Sequence, residues 1–426
     1  MYIQSALNGP EGSVVTYFFR GDQFVTFDWD LERAFLGGKS ITDDWILPLS
    51  FQPLESPYRF DAALSGHESK VNQYRHYSYF FHGADYIRHD WRDNPPPARP
   101  IQVQSDLSAW HLPSPFNMGV DAAFNGKLSR TGYAYFFKGN QYAKYNWMED
   151  KLEYVKPLSS MLNGMPVDFA QGIEAAVSGL GSYGDYGYLF KGDQYIRFHW
   201  DSLNVDNERP IVDNWLGLAE LLLAGQAKSK AFGWLWTAVS KLEAYIDVLA
   251  ANASDSFMEA TLQTHFHIPP SLPNSEKVGR INEILSNYEK VDRALHRAPE
   301  IFEISQTISD PAATVYNVRI YFSKEFVLTG PAARAAIIIH EGIHFVDELA
   351  TETNDIPEWY LTDEVADSLS LPRQDTIPEI ITRYDTMTMA MALHNPSSYA
   401  SFAQHISYNY DTRYGSARQD PIPGYW

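Results

Sequence analysis

The residues of this chain whose types and spacing fit a reaction are His340-Glu341-Gly342-Ile343-His344. On a helix, side chains four apart share a face, so both imidazoles can bind one ion. Glu341 projects beside them, where a carboxylate can take a proton from water held at that ion. Zinc suits these donors and lowers the pKa of its water to about 7. The chemistry on offer is metal-assisted hydrolysis. Chance alone yields such a pentapeptide in on the order of 1% of chains this long, and the surroundings favour the reading. Ile337, Ile338 and Ile339 make the preceding turn apolar, so burial of the helix is expected there. Thr329-Gly330-Pro331 opens the helix with proline at its favoured early position, and the pattern carries it to about residue 353. Upstream, residues 314–322 alternate through Val318, Ile320 and Phe322 and read as a strand. An edge strand of that kind can hold an extended peptide by main-chain pairing.

Two neutral imidazoles alone hold zinc weakly, so a carboxylate is expected to complete the set. Asp347 shares their face, but three ligands on one straight helix seldom converge. It reads as a hydrogen-bond acceptor or a helix-face charge. Asp355, in Thr353-Asn354-Asp355, lies just past the expected helix end and ranks first. Glu358, Glu379 and Glu364 are the alternatives, and each also has the ordinary reading of a solvated loop charge. His394 and His405 read as structural.

The pentapeptide followed by Thr-x-Asp resembles the aspzincin arrangement. The gap of ten residues between His344 and Asp355 is longer than that family's, and its Tyr-Gly after the Asp is absent. A metzincin is excluded, because Asp347 and Ala350 stand where its Gly and His would be. Further on, residues 392–403 (ALHNPSSYASFA) are similar to the Asn-Ala-Asp-Ser-Tyr-x-x-Phe-Ala segment of lysine-specific, aspzincin-like metallopeptidases. The resemblance spans about 230 to 415 and implies a zinc-dependent endopeptidase. By position in that segment, Tyr384 and Tyr399 are the candidates to donate to the oxyanion that peptide hydrolysis develops.

The first half is written differently. Phe18-Phe19-Arg20-Gly21, Phe80-Phe81-His82-Gly83, Phe136-Phe137-Lys138-Gly139 and Leu189-Phe190-Lys191-Gly192 each run on to a closing tryptophan, at 29, 91, 147 and 200. The glycines stand 62, 56 and 53 residues apart, a period of repeated supersecondary units. Each copy reads as a hairpin turning on its glycine. Ahead of each lies a second echo: Ile3-Gln4-Ser5-Ala6, Phe60-Asp61-Ala62-Ala63, Val120-Asp121-Ala122-Ala123 and Ile173-Glu174-Ala175-Ala176. Small residues there let innermost strands approach around an axis.

The two echoes together resemble the hemopexin-like repeat over about residues 1–217. That implies an all-β four-bladed propeller, with Asp61, Asp121 and Glu174 marking an axial cation or anion site. Many such domains close the ring with a disulfide; this chain has no cysteine, so closure is expected from packing and strand pairing.

Residues 218–426 are expected to form a mainly α (α+β) zincin-like domain. Helices are expected over 215–227, 231–252 and 276–297, with Pro269-Pro270 and Pro273-Asn274 between the last two.

The formal charge of −20 over 426 residues argues against a nucleic-acid partner. No apolar stretch is long enough to span a bilayer. The N-terminus lacks the basic and apolar regions of a signal peptide, so secretion or delivery by a signal-independent route is expected, with the cytoplasm as the compartment before export. The function expected is a zinc endopeptidase acting on a protein or peptide. Its propeller would dock a surface receptor or small ligand, with Zn2+ at the catalytic helix and a cation in the propeller channel. The alternative is a binding protein whose zincin-like domain is inactive.

Overall fold

The computed structural model describes residues 2–44, 60–93, 102–350 and 384–409. The chain divides into two compact units, 1–226 and 227–426.

The first unit holds four four-stranded antiparallel sheets, each meandering outward in chain order. The blades are β1–β4 (Ser5–Asn8, Val15–Arg20, Gln23–Asp28, Arg33–Ser40) and β5–β8 (Ala62–Ser65, Tyr77–His82, Asp85–Asp90, Gln102–Asp106). They continue as β9–β12 (Ala122–Asn125, Tyr133–Lys138, Gln141–Asn146, Lys151–Pro157) and β13–β16 (Ala175–Ser178, Tyr186–Lys191, Gln194–His199, Arg209–Pro210). The innermost strands β1, β5, β9 and β13 neighbour one another in cyclic order. Alanine makes that approach cheap: Ala62, Ala63, Ala122, Ala123, Ala175 and Ala176 are all buried on them. The hairpins close on two-residue turns, Arg20 opposite Gln23 and Lys138 opposite Gln141. Gly21, Gly83, Gly139 and Gly192 each take a positive φ there, which costs glycine least.

The axial carboxylates turn out to be fasteners for these turns. Asp61 accepts the Gly83 amide at 2.8 Å, Asp121 the Gly139 amide at 2.7 Å and Glu174 the Gly192 amide at 2.9 Å. In the first blade Gln4 does the same for Gly21 at 2.5 Å. A neutral amide oxygen in the first copy shows that the geometry asks for an acceptor, not for charge. At the other end of the inner strands, the fully buried Glu68 joins Asn8 of β1 (3.0 Å) to Asn125 of β9 (3.4 Å) and receives the Lys127 ammonium at 2.6 Å. Burial pushes its carboxyl pKa up, but Lys127, His67 and Asn8 outweigh that and hold it below the ordinary value. The positive charge balancing this buried carboxylate is therefore a side chain of the chain itself.

Closure falls to Trp215, which lies outside the repeats. It is buried with its ring 5.5 Å from Phe18, 4.9 Å from Phe27 and 5.4 Å from Trp29 of the first blade. It also lies 5.2 Å from Tyr188 and 5.1 Å from Phe190 of the last. Beside it the Ala34 amide donates to the Leu216 carbonyl at 2.8 Å. Packing and main-chain pairing thus replace the missing disulfide. The expected helix over 215–227 is corrected accordingly: Trp215 is non-helical, and one continuous helix, α1, runs Leu218–Ala250. The division between the units falls inside α1, eight residues past its first.

Glu220, in the first turn of α1, is 4% exposed, and burial raises its pKa to about 7. A carboxyl whose folded pKa lies above its unfolded value favours folding while protonated, and that stability is lost as pH rises through about 7. Glu220→Gln should therefore flatten the decline in stability between pH 5 and 8, by about 3 kcal/mol at most. Chemical denaturation at both pH values would measure it.

The second unit is mainly helical. It comprises the rest of α1, then α2 (Ser256–Phe266), α3 (Asn274–Leu295), α4 (Pro331–Val346) and α5 (Pro396–Tyr408). α2 was not expected from periodicity, although Asp255 caps it by accepting the Phe257 and Met258 amides. A small sheet has the order β17-β19-β18, from Phe302–Ile304, Arg319–Phe322 and Ala312–Val315. The single strand expected over 314–322 is instead a hairpin, because Asn317 takes a left-handed φ of 51° and reverses the chain. β17 and β19 are parallel, β18 is antiparallel, and among the described residues no strand pairs with the outer edge of β18.

Candidate functional site

α4 starts with Pro331 in its first turn, as the sequence implies, but stops at Val346 rather than near 353. Asp347 is the reason. It takes extended backbone angles and its side chain accepts the Leu349 amide at 3.0 Å, a local bond that competes with helix. The chain then folds back, so that the Ala350 carbonyl accepts from His344 Nδ1 at 2.7 Å. A carbonyl can only accept, so the proton sits on Nδ1 and the lone pair on Nε2.

His340 and His344 stand together on one face, ring centroids 4.9 Å apart. His340 Nδ1 lies 3.2 Å from Ser397 Oγ at the start of α5. Glu341 is turned inward and is 6% exposed. The Thr314 hydroxyl, on β18, lies 2.6 Å from Glu341 Oε2 and 3.2 Å from its main-chain oxygen. Gly342 has its own cause: a Cβ there would meet Val291 Cγ1 of α3 at 2.7 Å. The pentapeptide therefore combines two neighbouring imidazoles, a pinned carboxylate and a helix packed too closely for any side chain at its centre.

Other expected residues are placed differently. Tyr399 is fully buried, its hydroxyl donating to the Leu393 carbonyl at 2.7 Å and accepting from Asn287 at 2.8 Å. Burial pushes its pKa further above the ordinary tyrosine value. Tyr384 is also buried, with its hydroxyl 3.0 Å from His265 Nδ1. His265 Nε2 continues to His405 Nδ1 at 2.9 Å, which makes His405 part of a buried polar chain. Asp347 accepts from His394 at 2.8 Å, so both take structural parts beside the helix end. Asp355, Glu358, Glu379 and Glu364 lie outside the described residues. Among the described residues no three His, Asp or Glu side chains form a metal-holding group. The donors that are described fit zinc: two imidazoles whose Nδ1 atoms are engaged elsewhere, which fixes ring orientation.

Thr314 and Ser397 escaped the sequence reading. Ser397 was within reach, since it occupies the position where the aspzincin-like segment carries Asp.

Comparison with known proteins adds to the first unit. The hemopexin family model matches residues 120–166, which is the third blade. Together with four meandering sheets in a ring, that decides the architecture. The N-terminal half has a hemopexin fold. Albumin-2 of Lathyrus sativus is 25% identical over 232 residues, covering 52% of this chain and 97% of its own. The seed albumin LS24 of Lathyrus sativus aligns at 22% identity and TM-score 0.42, covering 52% of this chain and 97% of its own. A plant lectin with two metal binding sites, from Cicer arietinum, aligns at 20% identity and TM-score 0.41, over 50% of this chain and 96% of its own. Among the described residues no helix is long and apolar enough to cross a membrane.

Proposed function

We propose that the chain is a zinc-dependent endopeptidase with a zincin-like second unit, and that its hemopexin-fold unit serves for docking. The observation that carries the reading is the buried Glu341 carboxylate, fastened by Thr314 of an edge strand, on the helix whose one face carries two imidazoles. His340 and His344 would hold the ion through Nε2, with Asp355 as the preferred third ligand and Glu358, Glu379 and Glu364 as alternatives. Zinc, when bound, supplies Lewis acidity at the scissile carbonyl. Glu341 takes the proton from the attacking water and passes it to the leaving amine. The Thr314 hydroxyl fixes the carboxylate while it does so. The outer edge of β18, on the same element as Thr314, offers main-chain donors and acceptors to an extended substrate.

The test is metal content followed by substitution. The purified chain should hold one zinc, and His340→Ala or His344→Ala should release it. Asp355→Ala should lower occupancy far more than Asp347→Ala, because Asp347 is already bonded to His394. Absence of zinc from the unaltered chain after reconstitution would leave the binding-protein alternative. Loss on replacing one of the glutamates, with retention in Asp355→Ala, would reassign the third ligand.

A further inference from the structure

A cavity of about 300 Å³ lies in the second unit between the last turns of α3, the β18–β19 turn and the end of α4. Lys290, Arg293 and Arg297 line one wall, and Tyr316, Asn317 and Phe345 line the other. Lys290 and Arg293 stand three apart on α3, and Arg297 lies just past its end. Their present partners are weak ones. Arg293 lies 3.7 Å from Glu289 and Arg297 3.3 Å from Glu300, all well exposed, and Lys290 donates to Asn287 Oδ1 at 3.2 Å. Exposed pairs of this kind hold weakly, so an incoming carboxylate can displace them. Beside the cavity, Val315, Tyr316 and Val318 are 50%, 47% and 50% exposed, a cluster of bare apolar side chains around a turn. The open edge of β18 leads straight into it: Val315 ends the strand and Asn317 donates to the Phe345 carbonyl at 3.1 Å.

We propose that this cradle binds an acidic side chain of an extended peptide laid along β18. The inference rests on the peptidase reading for its choice of a peptide as ligand. The chemistry is on the wall: guanidinium groups donate paired hydrogen bonds to a carboxylate, and Tyr316 and its neighbours cover the apolar part of the chain. In a molecule of net charge −20, most of the surface repels such a ligand, so a cationic cavity beside the edge strand selects for it. The cations also complement the negative end of the α3 dipole. A role confined to that would not move peptide affinity.

The experiment uses the full chain with metal removed by chelation, so nothing is cleaved. Two fluorescent peptides, both C-terminally amidated, differ only in carrying Glu or Gln within a Val/Thr framework. Fluorescence anisotropy should give the Glu peptide about tenfold tighter binding in dilute salt. The preference should shrink at high ionic strength, because the charges are solvent-screened. The triple variant Lys290→Gln/Arg293→Gln/Arg297→Gln should bind both peptides alike. If that variant does not fold, Arg297→Gln alone decides, and it should lose at least half of the tenfold preference. Equal affinity for the two peptides, no binding of either, or a preference that survives the substitutions would overturn the proposal. Because binding is read without metal, a chain lacking zinc would sink the peptidase reading and leave this one standing. A lost Glu preference would do the reverse.

Discussion

Replacing Glu341 with Gln should leave zinc in place and slow peptide hydrolysis by about 10²- to 10⁴-fold, the range a positioned general base contributes. The exchange is nearly isosteric, and the amide oxygen can still accept from the Thr314 hydroxyl that lies 2.6 Å from the carboxylate. Both imidazoles keep their neighbours, Ser397 and Ala350. What disappears is the ability to take up a proton. Thr314→Val provides the graded companion: it keeps the carboxylate but frees it to rotate, so turnover should fall by less than in Glu341→Gln. Single-turnover kinetics on a zinc-loaded chain would measure both. A Glu341→Gln chain with undiminished turnover would end the assignment of this helix as catalytic.

Trp215→Ala should be the most costly single change in the first unit, about 3–5 kcal/mol, the range for removing a large buried aromatic. Its indole touches aromatic rings from two blades at once, Phe18, Phe27 and Trp29 on one side and Tyr188, Phe190 and Tyr195 on the other. Removing it opens the joint as well as leaving a cavity. Trp236, 73% exposed on α1, is the matched control, and its replacement by Ala should stay within about 0.5 kcal/mol. Fragments make the same point. Residues 1–226 should unfold cooperatively, whereas a fragment ending at 210 lacks both Trp215 and the Leu216 carbonyl that pairs with Ala34. A cooperative transition of equal midpoint in both fragments would show that closure lies elsewhere.

The blades were legible because their information is local and repeated. An aromatic pair, a turn glycine and a tryptophan within a dozen residues specify one hairpin, and four copies specify a ring. The joint was not legible, since Trp215 follows the last repeat and borders an apolar run that reads as helix. The helix that carries the His-Glu-x-x-His pentapeptide could be read from five residues and a proline. Thr314 could not, because it meets Glu341 across 27 residues, a separation at which no spacing rule applies, and Ser397, 57 residues from His340, was within reach only through its place in the family-like segment. Tyr399 marks the opposite error. Its place in a family-like segment suggested chemistry, whereas Leu393 and Asn287 hold its hydroxyl inside the core.

The position of Trp215 also sets an order of events during synthesis. Phe18, Phe27 and Trp29 leave the ribosome at least 186 residues before the Trp215 ring that covers them. At about 5–20 residues per second, that aromatic face waits roughly 10–40 s for its cover. During that interval the nascent blade presents a sticky flank to any neighbouring chain. Slower elongation after the fourth tryptophan lengthens the exposure, and a holdase that recognises aromatic surface shortens its consequences. Slower elongation between Trp29 and Trp215 is therefore expected to lower the folded yield on expression, which a comparison of yields at two translation rates would measure.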